Sequence, residues 1–250
     1  MFWGWFRIIA AFSSIGTSMK FEFQAIGFIQ SCYKEKFGIP RQPGLAPAAK
    51  GQLKLVAPFN HPDAVRGLEK STHIWLQFVF HQCQRDHWKP TVRPPRLGGN
   101  ERIGVFATRA TFRPNPIGLS VVKLEKIEID GQDVTLHLSG LDLVEGTPIL
   151  DIKPYIPYVD QVSEAENTLA SESPEILPVI WSETAQQQLI NYEGQFGSFK
   201  TLVDQVLQQD PRPAYRKNQS EEKVYGIQLN EANVRFSVSD QVVTVQAIEF

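Results

Sequence analysis

The chain is poor in sulfur and in histidine. Its 250 residues hold two cysteines, Cys32 and Cys83, two methionines and five histidines. Two cysteines are too few for a disulfide framework or a four-cysteine zinc site, and a reducing cytoplasm is the simplest compartment for such a chain. Strong net charge is also lacking. The formal charge is -2, so no global basic field points to nucleic acid. No apolar run is long enough to cross a bilayer. The sequence has no G-x-S-x-G elbow, no Walker A motif and no G-x-G-x-x-G after a strand, which argues against a serine hydrolase of that type, a P-loop enzyme and a Rossmann cofactor domain. What remains is an ordinary soluble composition, 42% hydrophobic and 21% charged, long enough to bury a core without metal or disulfide staples.

Residues 1–18, MFWGWFRIIAAFSSIGTS, stand apart. The aromatic cluster is interrupted by Arg7, and the order of charge, apolar run and cleavage site expected of a signal peptide is missing. They read as a non-native or disordered extension with Met19 as the working start; a surface-binding segment and an export signal are the other two readings.

From residue 19 to about 160 the chain is rich in strands. Apolar, often alternating runs occur at 21–30, 53–57, 73–80, 102–107, 118–129, 133–139 and 149–153, with one short helical pattern near 62–69. Seven such runs predict a barrel or sandwich rather than alternating βα units. Residues 161–178 are polar and acidic and read as a linker. Beyond them, 183–192 and 199–209 have helical spacing, and strands are expected at 223–229, 233–238 and 241–249. The fold class is therefore mainly β: a barrel or sandwich domain followed by a small α+β C-terminal domain over 179–250.

The near-neutral total hides an uneven distribution. Nine Lys or Arg and three acids lie between Arg85 and Lys126, and nine acids and one Lys lie between Asp160 and Asp210. The basic stretch suits a phosphate-rich ligand or, equally, a solvated face. Its densest part, Arg93 to Ser120, packs five arginines, four prolines and four glycines into 28 residues. Proline fixes φ and glycine permits unusual φ, so this is a rigid, tightly shaped path. Arginine on such a path suits a preorganised carboxylate or phosphate. Pro40-Arg41-Gln42-Pro43-Gly44 has the same character, with Tyr33, Lys34 and Lys36 expected on the same rim. Asp210 to Arg216 (DPRPAYR) repeats it. Asp142 sits among apolar residues and needs a partner. A His81, Cys83, His87 set with Cys32 invites a metal reading, but lacks the paired tight spacing of structural zinc, so no metal is expected. His73 and His137 read as half-buried strand residues.

PRQPG at 40–44, the PPRLGGN run, ATRATFRPNPIGLS at 107–120, LDLVEGTPILDIKPY at 141–155 and DPRPAYR at 210–216 together closely resemble the TsaA/TrmO family. The resemblance runs from about residue 20 to the end, with the motifs in family order. It implies a β-barrel methyltransferase that uses S-adenosylmethionine. It also implies a homodimer that methylates N6 of N6-threonylcarbamoyladenosine at position 37 of tRNA, beside the anticodon. Carried onto this sequence, the cofactor pocket comprises Pro40, Arg41, Gln42, His81, Gln82, Arg109, Leu119, Asp142, Leu143 and Val144, with Glu145 left outside it. Asp142 and Asn115 are the candidates for holding the N6 proton. Arg109 or Arg113 would pair with a carboxylate of the cofactor or of the modified base. Arg113, Arg212, Tyr215 and Arg216 are expected to grip the anticodon arm. The alternatives are a non-catalytic module that binds tRNA or S-adenosylmethionine, and a metal hydrolase built on His81, Cys83 and His87.

Overall fold

The computed structural model describes residues 20–83, 87–94, 101–196, 199–212 and 223–250; of 193–196 it describes the backbone alone. Six antiparallel strands close a barrel in the order β1 (Gly27–Ser31), β2 (Lys50–Leu55), β7 (Asp133–Ser139), β6 (Ile117–Asp130), β3 (His73–Val79) and β8 (Pro148–Pro154), with β8 pairing back onto β1. Closure removes the exposed edges that an open sheet of this composition would present. The register follows from alternation. On β3, Ile74, Leu76 and Phe78 point inward, opposite Val122, Ser120 and Gly118 of β6. On β7, Val134, Leu136 and Leu138 do the same. Together with Ile29, Leu53 and Ile149 these apolar side chains form a buried core. A one-residue slip on any of these strands would turn its apolar set to water.

The second body is a four-stranded sheet, β10 (Tyr225–Leu229), β11 (Ala232–Ser239), β12 (Val242–Glu249) and β9 (Val179–Trp181), with β9 parallel to β12. Helices α2 (Glu183–Phe196) and α3 (Phe199–Leu207) accompany it; α3 buries Phe199, Leu202, Val203, Val206 and Leu207. Its core is not built from this part of the chain alone. Between β1 and β2, residues 32–49 leave the barrel and add Cys32, Tyr33, Ala46 and Ala49 to the same apolar cluster. The amide of Asn230 donates to the Cys32 carbonyl at 2.8 Å, and the Ala48 amide donates to Gln205 Oε1 at 2.7 Å. The loop that carries PRQPG is thus clamped between two cores.

Several local expectations change. The strand expected from residue 21 begins at Gly27, since Phe21 and Phe23 are exposed before it. The run 102–107 is not a barrel strand. It is a two-residue strand, β5 (Ile103–Gly104), paired with β4 (Thr91–Val92), followed by a 3-10 turn over Val105–Ala107. The pattern at 62–69 resolves into two 3-10 turns, Pro62–Val65 and Leu68–Lys70, separated by Gly67 at φ 91. A short helix, α1 (Pro157–Asp160), and strand β9 were not anticipated; both are too short for a periodic signal. His73 is exposed rather than half-buried, while the half-buried His137 meets Glu128 at 2.8 Å.

Candidate functional site

Three of the motif segments, PRQPG, ATRATFRPNPIGLS and LDLVEGTP, meet at one end of the barrel. Gly44 donates its amide to the Gly140 carbonyl at 3.0 Å, which lays PRQPG against the start of the 140–146 segment. The Glu145 amide donates to the Tyr33 carbonyl at 2.8 Å, and Gly146 to Ile29 at 2.8 Å, which fixes that segment beside the end of β1. The Arg109 guanidinium donates to Gln42 Oε1 and brings in the arginine-rich loop. Lys36 Nζ donates to the Gln82 carbonyl at 3.0 Å and brings in the His81–Cys83 turn that ends β3. The Phe80 amide donates to the Pro116 carbonyl at 2.8 Å, so the turn also sits beside Asn115 at the entry to β6.

Asp142 is the electrostatic centre of this convergence. Its Oδ1 is buried and has no hydrogen-bond partner among the described residues. Burial pushes its pKa up to about 6, against the opposing influence of the Ser120 hydroxyl and the Arg109 guanidinium. Ser120 is 2% exposed and reaches this position because β6 turns every second residue inward. Leu119, its neighbour, points the other way and is exposed. Tyr33 was expected on the rim, but is 1% exposed, with its hydroxyl buried and unpartnered among the described residues; burial and the nearby Asp142 raise its pKa. Ser120 was missed as a site neighbour, and the burial of Tyr33 was not foreseen. An isolated Ser in an apolar strand carries no signal of its own, and Tyr33 is buried by a sheet that lies almost two hundred residues further along the chain.

The remaining expected residues divide clearly. Pro40 is buried and Arg41 exposed, with Gln42 between them on Arg109. Leu143 is 2% exposed in the barrel core, so only its backbone is available to a ligand. Val144 is half-buried, and its carbonyl accepts from the Thr147 hydroxyl at 2.7 Å. Glu145 accepts from the Ser31 amide at 2.7 Å and from Lys34 at 3.0 Å, which makes it a tether of the 140–146 segment. Asn115 is exposed, as is Gln82.

Two of the arginines expected to grip RNA are turned inward. Arg113 Nη1 donates to the carbonyls of Thr108 at 2.7 Å, Val105 at 3.3 Å and Ala110 at 3.4 Å, so it staples its own loop. Arg212 is 9% exposed and holds Asp210 with two hydrogen bonds, Nε–Oδ1 at 2.8 Å and Nη2–Oδ2 at 3.2 Å. Each guanidinium thus spends part of its donor set on its own chain, on loop carbonyls for Arg113 and on Asp210 for Arg212. Tyr215 and Arg216 lie outside the described residues. Among the described residues, no group of three or more His, Cys, Asp or Glu is placed to hold a metal ion. Cys32 is buried, which pushes its thiol up to about 12. No helix among the described residues is long and apolar enough to cross a membrane.

Comparison with known proteins agrees along the whole described chain. The tRNA-methyltransferase O N-terminal domain matches residues 28–161, and the TrmO C-terminal domain matches residues 174–250. The tRNA (adenine(37)-N6)-methyltransferase of Escherichia coli K12 is 49% identical over 230 residues, which is 92% of this chain and 98% of that protein. A putative S-adenosylmethionine-dependent methyltransferase of Pseudomonas aeruginosa PAO1 is 50% identical over 84% of this chain and 90% of its own length. The crystal structure of TrmO from Pseudomonas aeruginosa superposes with a TM-score of 0.78 at 40% identity, covering 93% of this chain and 99% of that one. The chain belongs to the TrmO family of tRNA methyltransferases.

Proposed function

We propose that this protein transfers a methyl group from S-adenosylmethionine to N6 of adenosine 37 in tRNA. The preferred substrate is the adenosine already bearing a threonylcarbamoyl group, in the anticodon loop. The enzyme works as a homodimer in the cytoplasm, where that substrate resides. The family membership and the names of its relatives support the reaction. The threonylcarbamoyl preference, the anticodon arm and the dimer rest on the resemblance carried by PRQPG, ATRATFRPNPIGLS and LDLVEGTP.

The observation that carries this reading is the buried, unpartnered Asp142 oxygen at the meeting point of those three motifs. A buried carboxylate oxygen without a donor is costly, and S-adenosylmethionine offers donors in its ammonium, its ribose hydroxyls and its adenine amine. The residues therefore fit the cofactor. Pro40, Arg41, Gln42, Arg109 and the 142–144 backbone would hold it, with the His81–Gln82 turn and Leu119 alongside.

When bound, S-adenosylmethionine supplies a methyl group already activated by a positively charged sulfur. The protein's task is then alignment and proton management. N6 is a weak nucleophile because its lone pair is delocalised, so its proton needs an acceptor. Asp142, with its pKa near 6, is largely ionised at neutral pH yet more basic than an exposed carboxylate. It would accept that proton; Asn115 at the mouth would orient the base. Arg109 stabilises the ionised Asp142 and is exposed enough to meet a ligand carboxylate. The target lies in a single-stranded loop, so extruding it costs less than from a duplex.

The test is incubation of the purified protein with labelled S-adenosylmethionine and tRNA that carries or lacks the threonylcarbamoyl group. Nucleoside mass spectrometry then locates the methyl. A methyl on position 37 of the modified tRNA alone is the expected result. Cofactor binding without methyl on either tRNA would instead favour a non-catalytic binding module.

A further inference from the structure

We propose that Trp88 and Phe106 form a stacking platform for an unpaired base of the tRNA, next to the methyl-transfer site. The proposal rests on the tRNA reading above and adds to it an aromatic surface outside the motifs that carry the family resemblance.

The platform stands on the β4–β5 ribbon, outside the barrel. Thr91 pairs with Gly104 and Val92 with Ile103, and the Val105 amide donates to the Pro90 carbonyl at 2.9 Å. Val105 is 1% exposed and roots the ribbon. The next residue, Phe106, is 75% exposed, and Trp88 across the ribbon is 53% exposed. Their ring centroids lie 6.4 Å apart with the planes at 32°. Two large aromatic rings held side by side in water, on a short hydrogen-bonded ribbon, leave apolar faces for a flat partner.

The surroundings indicate which partner. Lys89, Arg93 and Arg102 on the same ribbon are exposed, and Glu101 is the only acid among residues 87–94 and 101–113. Aromatic faces ringed by cations suit a single-stranded nucleic acid, whose bases stack while its phosphates meet Lys and Arg. The ribbon is also mechanically joined to the site. The Thr108 amide donates to the Val105 carbonyl at 3.2 Å, and Arg113 binds the carbonyls of Val105, Thr108 and Ala110. Arg109, which holds Gln42, sits three residues beyond Phe106. A base stacked on the platform would therefore be a near neighbour of the target adenosine.

The experiment compares wild type, a Trp88→Ala/Phe106→Ala double variant and a conservative Trp88→Phe variant. Three quantities are measured for each: affinity for the threonylcarbamoylated tRNA, affinity for S-adenosylmethionine, and mass by light scattering. The double variant should bind tRNA about tenfold more weakly, the scale of losing one stacked base. Its cofactor affinity should stay within about twofold and its mass should be unchanged, while Trp88→Phe keeps most of the tRNA affinity. A 2-aminopurine placed beside position 37 should be quenched by wild type and not by the double variant. Unchanged tRNA affinity in the double variant would overturn the platform. So would a fall in mass, which would assign the rings to contact between two copies of the chain. A wild-type protein that neither binds nor methylates tRNA would instead show that the underlying reading had failed.

Discussion

The Arg109 guanidinium donates to the side-chain carbonyl of Gln42, joining two residues 67 positions apart and tying the arginine-rich loop to the PRQPG turn. Neither residue is in an apolar core. Their pairing therefore does little for folding and much for the shape of the proposed cofactor pocket. Arg109→Ala and Gln42→Ala should each weaken S-adenosylmethionine binding, Arg109→Ala by about tenfold or more, the scale of a hydrogen bond to a charged group. Both should leave the melting temperature nearly unchanged. Calorimetric titration of the two single variants and the double should show coupling, since residues in direct contact are non-additive.

Asp142 should give activity and stability opposite pH trends. Burial holds its pKa in the folded state up at about 6, above the ordinary aspartate value of 3.8. The folded state thus holds the proton more tightly, so stability falls as pH rises from about 4 to about 6 and is flat above. In the proposed mechanism the ionised carboxylate is the working form, so methyl transfer rises as pH passes through about 6 and then levels off. Asp142→Asn should be the more stable protein at pH 8, by on the order of 2–3 kcal/mol, while losing most of its activity. Urea denaturation and rate measurements across pH 4–8 check both trends.

The buried Arg212–Asp210 pair should behave as a structural element. Removing one partner of such a pair leaves a buried charge uncompensated and costs about 3–5 kcal/mol. Arg212→Ala is expected to lose about 3 kcal/mol in urea denaturation. A stable Arg212→Ala protein with a selective loss of tRNA affinity would show that the arginine serves the RNA after all.

Gly51 allows β2 to approach both its neighbour strand and the site. A Cβ at this position would lie 2.4 Å from the Gln30 carbonyl oxygen and 2.4 Å from a Leu141 methyl. The first is backbone and cannot move aside. Gly51→Ala should cost about 1–3 kcal/mol through overpacking. Because Leu141 adjoins Asp142, it should also raise the KM for S-adenosylmethionine, which steady-state kinetics would detect.

Much of this was legible in the chain before folding. Ile74-Leu76-Phe78 and Val134-Leu136-Leu138 announce their strands because the pleat alternates faces every residue. The density of Arg, Pro and Gly around Arg109 marks a rigid loop, which Arg109 and Arg113 tie down. Direction was not legible. Pro211-Arg212-Pro213 signals stiffness, but nothing local says that Arg212 folds back on Asp210 rather than outward. Arg113 likewise looks like a ligand-binding arginine until the carbonyls of its own loop are seen to converge on it. Tyr33 belongs to a core assembled with Leu229 and Val234, a long-range event with no local periodicity. The apolar residues at 102–107 read as another strand because Ile103 and Val105 alternate, yet their true partners are two residues of a side ribbon.

The most direct test of the whole account is a single-turnover methyl-transfer experiment on threonylcarbamoylated tRNA, comparing wild type with Arg109→Ala and Asp142→Asn. The account predicts product at position 37 for wild type, and a rate lower by about tenfold or more for each variant at saturating tRNA. Wild-type rates from both variants, with the methyl still at position 37, would contradict it and place the reacting groups elsewhere on the protein.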